Sequence, residues 1–269
     1  MRVVLGIDAA WSSTQPSGVA VVAEESSGWR LIAAESSYQR FQAKADTNLL
    51  REQRPSGSLA DARALIAAAS ILCKGWPVDL VSIDIPLARE AITGRRFCDN
   101  EVSRMYGGRK CGTHSPTRAR PGRVSDELRE GFDLSGYPLL TRSISSRGVI
   151  EVYPHPALIE LAGALERLPY KTPKTRTYWP SATPTERRER LYQQWKEIIC
   201  LLEGQITNVS AVLIIPDMNA PKAEAKACED ALDAVVCAWV AICALEGRAR
   251  PLGDDNSAIW IPYPRVAPP

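Results

Sequence analysis

The chain opens with short runs of apolar residues that alternate with turn-forming segments. RVVLGID, at residues 2 to 8, is a β-branched apolar run that ends in an acid, which is typical of a buried strand. Residues 18 to 38 contain two further strand-like runs joined by ESSG, a pattern that predicts an antiparallel hairpin. We therefore expect three consecutive strands at the start of the chain.

Helix-like and strand-like segments alternate over the rest of the chain. LADARALIAAASILCKG has apolar residues at helical spacing and ends with Lys74 and Gly75, a common signal for a helix C-terminus. VDLVSIDIPLA, which follows, is another buried strand-like run. The remaining predictions are a strand through Val149 to Val152 that runs into a helix, an amphipathic helix from about Thr185, a strand at SAVLIIPD and one strand in the tail.

Residues from about 88 to 147 interrupt this alternation. Hydrophobic periodicity is poor there, Gly, Pro, Ser, Thr and Arg are frequent, and only one short helix is predicted, around FCDNEVSRMYG. We interpret this region as an insertion. Its basic residues outnumber its acidic ones, so it could form a surface that faces phosphates or an ordinary solvated loop.

The order of these segments predicts the fold class. Three consecutive strands, then helix, strand, insertion, strand and terminal helices indicate an α/β fold, with a mixed sheet covered by helices on both faces. The length of 269 residues fits a single domain, 1–269, with an insertion better than it fits two domains. In such sheets, functional groups gather where loops leave the ends of strands.

Composition and charge narrow the function classes only slightly. The chain has 33 Lys or Arg and 31 Asp or Glu, a net charge of +2 that does not by itself indicate a nucleic-acid-binding protein. Its 7 cysteines include no CxxC pair and do not resemble a disulfide framework. Cys98, Cys111 and His114 could hold zinc, but no fourth ligand stands at a usual spacing. No signal peptide or membrane span is evident, so we expect a cytoplasmic protein without a membrane partner.

The most apolar predicted helix, CEDALDAVVCAWVAICALEG, carries acids near its beginning. Asp230 and Asp233 are three residues apart and therefore share one face, where like charges repel each other unless a positive group lies between them. If the helix begins at Cys228, the acids favour the positive end of its dipole. If it begins near Asn219 and Pro221, they lie two to three turns inside, and the dipole does not explain them.

Two further acids close predicted strands. Asp8 ends the first strand and Asp84 ends VSID. If these strands are neighbours, the two aspartates meet at one edge, and a helix across the sheet can bring Asp230 and Asp233 to the same place. At about 5 Å and an effective dielectric constant near 20, each carboxylate pair costs on the order of 3 kcal/mol. Mg²⁺ or Mn²⁺ would remove this repulsion, because hard divalent cations prefer oxygen ligands.

A carboxylate cluster that holds two such ions suits the hydrolysis of phosphodiester bonds. One ion generates hydroxide from water and the other stabilises the leaving oxygen, so no side-chain nucleophile is needed. The sequence agrees, since it contains no GxSxG, no Walker loop, no GxGxxG after a strand and no HExxH. For Asp8 alone, an acid that bonds backbone amides at a strand end is an equal alternative.

Several segments, in order, resemble a known family over nearly the whole chain: GIDAAW, the hairpin GVAVVAEE with WRLIAA, SIDIPL, IEVYPHPAL and EDALDAVVCAWVA. They resemble a bacterial and archaeal domain-of-unknown-function family described as predicted nucleases of the RNase H-like fold. The resemblance implies an RNase H-like sheet of three antiparallel strands followed by parallel ones. It also implies a catalytic metal site formed by Asp8, Asp84, Asp230 and Asp233. The DxxD spacing is similar to that of Holliday-junction resolvases, which also permits a homodimer.

Other residues have more than one interpretation. Glu151 is similar to an acidic position of the family and could be a further catalytic group, either a fifth ligand or an orienting group, or else part of a strand-end salt bridge. His155, between two prolines, could shuttle protons near neutral pH or simply belong to a turn.

A basic segment, GGRKCGTHSPTRAR, supplies the predicted substrate contacts. Arg109, Lys110, His114 and Arg118 could hold a phosphate or lie in a solvated loop. Trp11, just beyond Asp8, could stack on a nucleic-acid base or pack in the core.

The leading hypothesis is a nuclease that depends on Mg²⁺ or Mn²⁺ and acts on DNA or RNA by structure, because no recognition helix or zinc-finger pattern is present. One alternative is an ATP-dependent phosphotransferase of the sugar-kinase and actin class, although the chain shows no second GID-type hairpin. Another is a nucleic-acid-binding module of the same fold without catalysis. The acid set favours the nuclease, because binding phosphate requires no carboxylates.

Overall fold

One mixed sheet contains all seven strands of the described part of the chain. The computed structural model describes residues 1–50, 52 and 54–264. The sheet order is β3-β2-β1-β4-β5-β7-β6. The strands are β1 Val3–Asp8, β2 Gly18–Glu25, β3 Gly28–Glu35, β4 Leu80–Ile83, β5 Gly148–Val152, β6 Ala249–Gly253 and β7 Ala258–Pro262.

The direction of the strands changes at the middle of the sheet. The first three strands are antiparallel neighbours, in agreement with the predicted hairpin and with what the family resemblance implies for the first strand. β4 then runs parallel to β1, β5 parallel to β4 and β7 parallel to β5, whereas β6 pairs with β7 in the antiparallel sense. The sequence predicted one strand in the C-terminal tail, whereas the structure has two, β6 and β7. The sequence of β6, ARPLG, contains a proline and a glycine, which are uncommon in strands, so this strand was not predicted.

Helices pack on both faces of this sheet. Those of eight or more residues are α1 Tyr38–Ala45, α2 Ala62–Leu72, α3 Phe97–Tyr106, α4 Arg123–Leu134, α5 Pro154–Ala162, α7 Pro184–Glu203 and α9 Lys222–Leu245. Two single turns, α6 Thr175–Tyr178 and α8 Val209–Val212, complete the α-helices of the described residues, and two 3-10 turns are formed by Gly107–Arg109 and Thr172–Lys174. None of the helices in the described ranges is both long and apolar enough to cross a membrane.

Two predictions about the elements need correction. The run SAVLIIPD is not a strand: it contains the end of α8 and an irregular segment, although its apolar residues suit either structure. The region 88–147 connects β4 to β5 and contains α4 as well as the predicted α3. The signal for α4 was present, because Val124, Leu128 and Phe132 recur every four residues.

Alternation along the strands divides the core into two layers. Val4 of β1 and Leu80 of β4 pack with α5, α7 and α9 on one face, whereas Leu5 and Val81 pack with α1, α2 and α4 on the other. This is the two-residue period of a strand that is buried on both sides. The face of each strand side chain is therefore fixed by its position in the sequence.

Helix α9 lies very close to the sheet. A Cβ atom on Gly6 would be 2.2 Å from the carbonyl oxygen of Ala234, and one on Gly18 would be 1.9 Å from that of Asp230. The hydroxyl of Ser82 in β4 donates a hydrogen bond to the carbonyl oxygen of Cys237, at 2.7 Å. The glycines therefore allow the backbone of α9 to pack directly on β1 and β2.

Candidate functional site

Strand alternation directs two of the predicted acids toward α9. Asp8 follows Val4 and Gly6 on the α9 face of β1, and Asp84 follows Leu80 and Ser82 on the same face of β4. The two strands are parallel neighbours, and the Asp84 amide donates to the carbonyl oxygen of Ile7 at 2.9 Å. Both acids therefore emerge at one edge of the sheet, beneath the helix.

The start of α9 explains why its acids are not capping residues. The helix begins at Lys222 after Pro221, so the alternative in which it begins at Cys228 is wrong. Asp230 lies more than two turns inside the helix, where the terminal dipole has little effect. Its backbone carbonyl lies over Gly18, the residue paired with Asp8. The helix thus places Asp230 beside the ends of β1 and β4.

A cavity of about 620 Å³ opens at this point. Three acids line it, one from each of the elements β1, the end of β4 and α9: Asp8, Asp84 and Asp230. The loop after β1 and the β4–β5 connection also contribute to its lining, with Trp11, Gln15, His114, Ser115 and Arg120. The cavity therefore combines carboxylates with cationic and aromatic groups.

Two lysines neutralise the acids of α9. The Lys171 ammonium contacts Asp233 and lies 3.6 Å from Glu229, while Lys226 contacts Asp230 and lies 3.0 Å from Glu229. The Tyr170 hydroxyl donates a second hydrogen bond to Asp233, at 2.7 Å, and the Thr172 amide donates to Glu229 at 2.5 Å. We refer to Lys171 and Lys226 as the site lysines.

The pKa values of the acids divide them into two groups. Burial raises the pKa of Asp8 to about 6, with a further contribution from Asp233, and raises the pKa of Asp230 to about 8. Burial and the charge of Asp8 also raise the pKa of Asp84 well above its ordinary value. In contrast, the site lysines lower the pKa of Glu229 against the effect of burial. The acids that line the cavity are therefore the ones whose charge is least compensated.

The cavity acids also retain free oxygens. Oδ2 of Asp230 is buried without a hydrogen-bond partner, and within the described residues neither the Asp8 nor the Asp84 carboxylate has a hydrogen bond. Asp233 differs, because it is fully buried, does not line the cavity and has both oxygens bonded to Tyr170 and Lys171. As donors, Asp8, Asp84 and Asp230 fit a hard divalent cation, whereas Asp233 does not.

In the structure, the carboxylates of α9 are paired with the site lysines and are not arranged around a metal ion. Across residues 1–50, 52 and 54–264, no three His, Cys, Asp or Glu side chains are grouped so that they could hold a metal ion as they stand. The Lys226 ammonium contacts Asp230 and its side chain is 46% exposed, so it can leave this acid without unfolding the helix. Metal binding would therefore require the lysine to move.

Comparison with known proteins identifies the family. The family model described as "Protein of unknown function (DUF429)" matches residues 6–258, which include all four acids of the predicted metal set. The chain belongs to the DUF429 family. A search of curated proteins found no match, and a search of solved structures found none either.

Glu151 of the DUF429 chain faces away from the cavity. Ile150 and Val152 of β5 point toward α9, so Glu151 between them points to the opposite face. There it accepts hydrogen bonds from Arg96 and from the Leu87 amide, the latter at 2.7 Å. The interpretation of Glu151 as a fifth ligand is corrected by this geometry, and the strand-end salt bridge describes it.

Only part of the predicted substrate-binding set lies at the cavity of the DUF429 chain. Trp11 and His114 line it, with their rings 6.4 Å apart, whereas Arg109, Lys110 and Arg118 do not. Arg109 is held by Glu160 at 2.9 Å, and Lys110 by Glu166 at 2.6 Å. These local ion pairs are the reason that the two basic side chains lie elsewhere, while Arg118 is exposed.

His155 does not have the properties of a proton shuttle near neutral pH. The imidazole is buried and packs edge-on against Tyr153 and Tyr170, with ring centroids 5.3 and 5.4 Å away. Burial and the nearby Lys171 and Arg167 lower its pKa well below the ordinary value, so the ring is neutral.

Sequence reasoning missed the site lysines and Arg120. Lys226 is four residues before Asp230, a spacing at which a helix pairs opposite charges, so its role was open to prediction. Lys171 lies in an irregular segment after α5, and Arg120 lies over the Trp11 ring at 5.9 Å. Neither position has a periodic pattern that could have indicated it.

Proposed function

We propose that this chain is a nuclease that hydrolyses phosphodiester bonds in DNA or RNA and depends on Mg²⁺ or Mn²⁺. The observation that carries the proposal is the convergence of Asp8, Asp84 and Asp230, from three separate elements, in one cavity with unbonded carboxylate oxygens. Structural acids usually have partners, because an uncompensated buried charge is costly. Asp8 and Asp84 have no such partner among the described residues, and Asp230 keeps one oxygen unbonded beside its contact with Lys226, so the three acids are candidates for function.

The topology supports the same proposal. The resemblance implies an RNase H-like sheet in which three antiparallel strands precede parallel ones, and β1 to β5 have that arrangement. It also implies acids at the ends of the first and fourth strands and on the C-terminal helix, which are the three positions that line the cavity. Fold similarity alone does not define an activity, so the argument depends on the acids.

The three cavity acids would hold the ion or ions. A bound divalent cation would supply the activation of water and the stabilisation of the leaving oxygen. The protein supplies the rest: Asp8 and Asp84 are fixed by the rigid sheet, and Asp230 by the close packing of α9. The site lysines stabilise the fold by balancing the negative charge of the acids. Lys171 would stay paired with Asp233 when a cation binds, because both side chains are largely buried.

The residues around the acids suit a nucleic-acid strand. Arg120 and His114 can donate to phosphate oxygens, and Trp11 offers an aromatic surface on which a base can stack. None of these contacts reads a base sequence, which fits an enzyme that selects its substrate by structure. We therefore expect cleavage without a strict sequence preference.

The proposal is tested by incubating the protein with branched DNA, single-stranded DNA, RNA and an RNA–DNA hybrid in Mn²⁺ or Mg²⁺. We expect at least one substrate to be cut, and Asp8→Asn and Asp84→Asn each to lower the rate by about 100-fold or more, as expected for loss of a group that stabilises the transition state. Asp133→Asn is the matched control, because Asp133 is exposed on α4 and away from the cavity.

Two outcomes would reject the nuclease. Cleavage that survives both cavity substitutions would show a contaminating enzyme or a different site. Binding of nucleic acid without any cleavage, in either ion, would favour the non-catalytic module of the same fold.

A further inference from the structure

A second cavity, of about 510 Å³, is lined mainly by basic and aromatic side chains, and its Lys174 is close enough to Lys171 of the acidic cavity for the two charges to repel. We call it the basic cavity and define it by Lys110, Glu166, Arg167, Lys174, Tyr178 and Trp179. Apart from Lys110, these residues belong to the segment between α5 and α7, which includes a 3-10 turn and the short helix α6. The same segment places Lys171 in the acidic cavity.

The cations of the basic cavity are only partly paired. Lys110 and Glu166 form an ion pair at 2.6 Å and neutralise each other. Arg167 and Lys174 have no acidic partner among the described residues, and Nε of Arg167 is buried without a hydrogen-bond partner. The two remaining charges thus give the cavity a positive excess.

The hydroxyl of Tyr178 is a second unpaired donor. Its oxygen lies beside the Lys171 backbone amide, but its buried O–H has no acceptor among the described residues, although Tyr178 lines the cavity beside Arg167. Buried polar groups of this kind usually have a protein or ligand partner. A guanidinium, an ammonium and a hydroxyl that share one cavity form the donor set that binds phosphate oxygens.

Electrostatics agrees with an anion at this place. Burial, Arg167 and Lys171 lower the pKa of Lys174, and the same cations also lower the pKa of the neighbouring His155. Like charges that approach each other repel, as the cavity acids do, so an anion between them would stabilise the fold. A phosphate group would supply that charge and accept the unused hydrogen bonds.

The position of the basic cavity relates it to the acidic one. Lys171 lines the acidic cavity, and Lys174 is joined to it by the single 3-10 turn Thr172–Lys174. A strand whose reacting phosphodiester lies at Asp8 and Asp84 could therefore place a neighbouring phosphate against Lys174 and Arg167. Trp179, at the same cavity, provides a ring for stacking of a base.

We propose that Arg167, Lys174 and Tyr178 form a phosphate-binding subsite for the nucleic-acid strand, beside the acidic cavity. This inference rests on the proposed function, because the phosphate is assigned to the substrate strand. These residues would bind a backbone phosphate of the strand and take no part in the hydrolysis. The subsite would hold the strand by its backbone, in a manner independent of base sequence.

The test is the binding of a fluorescein-labelled single-stranded 12-mer in EDTA, measured by fluorescence anisotropy at several salt concentrations. We expect Arg167→Gln and Lys174→Gln each to weaken binding about 10-fold, as for loss of a charge-assisted hydrogen bond. The slope of log K against log salt should become smaller by about 0.7 for each lost contact with a single strand. Tyr178→Phe should weaken binding less and leave the slope unchanged, because it removes no charge.

The matched control is Arg63→Gln. Arg63 is exposed on α2, on the opposite face of the sheet, and its substitution makes the same change in net charge. We expect the control to bind like the unmodified protein. Melting temperatures of all variants, measured in the same buffer, separate a loss of contacts from a loss of folding. The Tyr178→Phe protein should melt within a few degrees of the unmodified protein, because the Tyr178 hydroxyl donates no hydrogen bond to the described residues.

The outcomes separate this inference from the proposed nuclease. If Arg167→Gln and Lys174→Gln bind like the control while Asp8→Asn abolishes cleavage, the subsite is rejected and the nuclease stands. If no substrate is cut but binding depends on Arg167 and Lys174, the nuclease is rejected and the subsite stands. Inorganic phosphate could raise the melting temperature of the unmodified protein but not that of Arg167→Gln, while the 12-mer binds equally to all variants. That result would overturn the assignment of the bound phosphate to a nucleic-acid strand.

Discussion

Each acid at the site is governed by a different balance of burial and charge. Asp233 is the most buried, but a tyrosine hydroxyl and a lysine satisfy both of its oxygens. Asp230 has one oxygen on Lys226 and one without a partner, while the carboxylates of Asp8 and Asp84 face the cavity. At about 5 Å and an effective dielectric constant near 20, one such repulsion is on the order of 3 kcal/mol, comparable to the desolvation of a charge. The cavity acids therefore destabilise the metal-free protein when they ionise.

We predict that Asp8→Asn stabilises the metal-free protein at high pH. The pKa of Asp8 is raised from 3.8 to about 6, so the folded protein binds its proton more tightly than the unfolded chain does. The stability that this proton supplies is present at about pH 4 and is lost as the pH rises through 6. Above pH 7 the substitution should raise the free energy of unfolding by on the order of 2–3 kcal/mol. Urea unfolding of both proteins in EDTA at pH 4.5, 6 and 8 measures this difference in the free energy of unfolding.

The control for this experiment is Asp133→Asn, in which the same chemical change is made on an exposed helix surface. It should change stability little and equally at the three pH values. An Asp8→Asn protein that is less stable than the original at pH 8 would show that Asp8 is a structural acid with satisfied hydrogen bonds.

We predict that Lys171→Met destabilises the fold strongly. The substitution keeps much of the apolar chain but leaves Asp233 and Glu229 buried without their shared cation. Breaking a buried pair in this way costs roughly 3–5 kcal/mol. Denaturant unfolding at pH 7 measures the loss, and Lys196→Met, at an exposed position of α7, is the control. If Lys171→Met costs no more than the control, Lys171 does not neutralise the cluster.

A second variant isolates the pair itself. Asp233→Asn removes the charge that Lys171 faces, so the Lys171→Met and Asp233→Asn changes together should cost less than the sum of the two alone. Additive effects would indicate that the two side chains act independently.

At the scale of elements, helix α9 and strands β1 and β2 form the frame of the site. The helix can approach the strands only because Gly6 and Gly18 carry no Cβ atom. Gly18 lies opposite Asp8 in the β-ladder and directly below the backbone of Asp230, so it sets the separation of two of the three cavity acids. The separation of these acids thus depends on a residue that has no side chain.

We predict that Gly18→Ala destabilises the protein and displaces Asp230. Its Cβ would lie 1.9 Å from a backbone carbonyl oxygen, a clash that only movement of the helix can relieve. Overpacking of this kind costs about 1–3 kcal/mol or more. Thermal unfolding, together with Mn²⁺ binding by the folded fraction, measures both effects. Gly94→Ala is the control, because a Cβ there has no neighbour within 4 Å. Equal melting temperatures for the two variants would contradict this account of the packing.

The elements show where a sequence pattern is sufficient and where it is not. β1 and β2 were predictable because β-branched runs ending at turn residues have few alternatives. SAVLIIPD was assigned wrongly because a short apolar run fits a strand or a buried helix equally well. The start of α9 was left between two positions, since neither Asn219 nor Cys228 is decisive, and the observed start at Lys222 reflects Pro221 in front of it.

The whole molecule brings together residues that are far apart in the sequence. The parallel pairing of β1 with β4 joins Asp8 to Asp84, and the packing of α9 across both strands adds Asp230. This convergence could be predicted, because acids at the ends of neighbouring strands meet at one edge. The face of Glu151 could also have been predicted from alternation along β5. The partners of Arg109 and Lys110 could not, since they depend on where an irregular segment folds back.

The pH dependence of metal binding is a property of the three cavity acids together, because their charges interact. The raised pKa values of Asp8, about 6, and Asp230, about 8, mean that a metal ion must displace protons from these acids below those values. We predict that the affinity for Mn²⁺ rises between pH 6 and 8, by up to about 10-fold per pH unit for each proton displaced. Calorimetry in buffers of different ionisation enthalpy would detect the released protons. A constant affinity across this range would show that the raised acids are not ligands.

The most direct test of the central claim is calorimetric titration of Mn²⁺ into the unmodified protein, Asp8→Asn, Asp84→Asn and the exposed control Asp133→Asn, all at pH 8. The claim is that Asp8, Asp84 and Asp230 form one cation site. It predicts that the unmodified protein and the control bind Mn²⁺ equally, and that each cavity substitution weakens binding at least 10-fold while the fold is kept. Equal binding by all four proteins, or no binding by any of them, would contradict it.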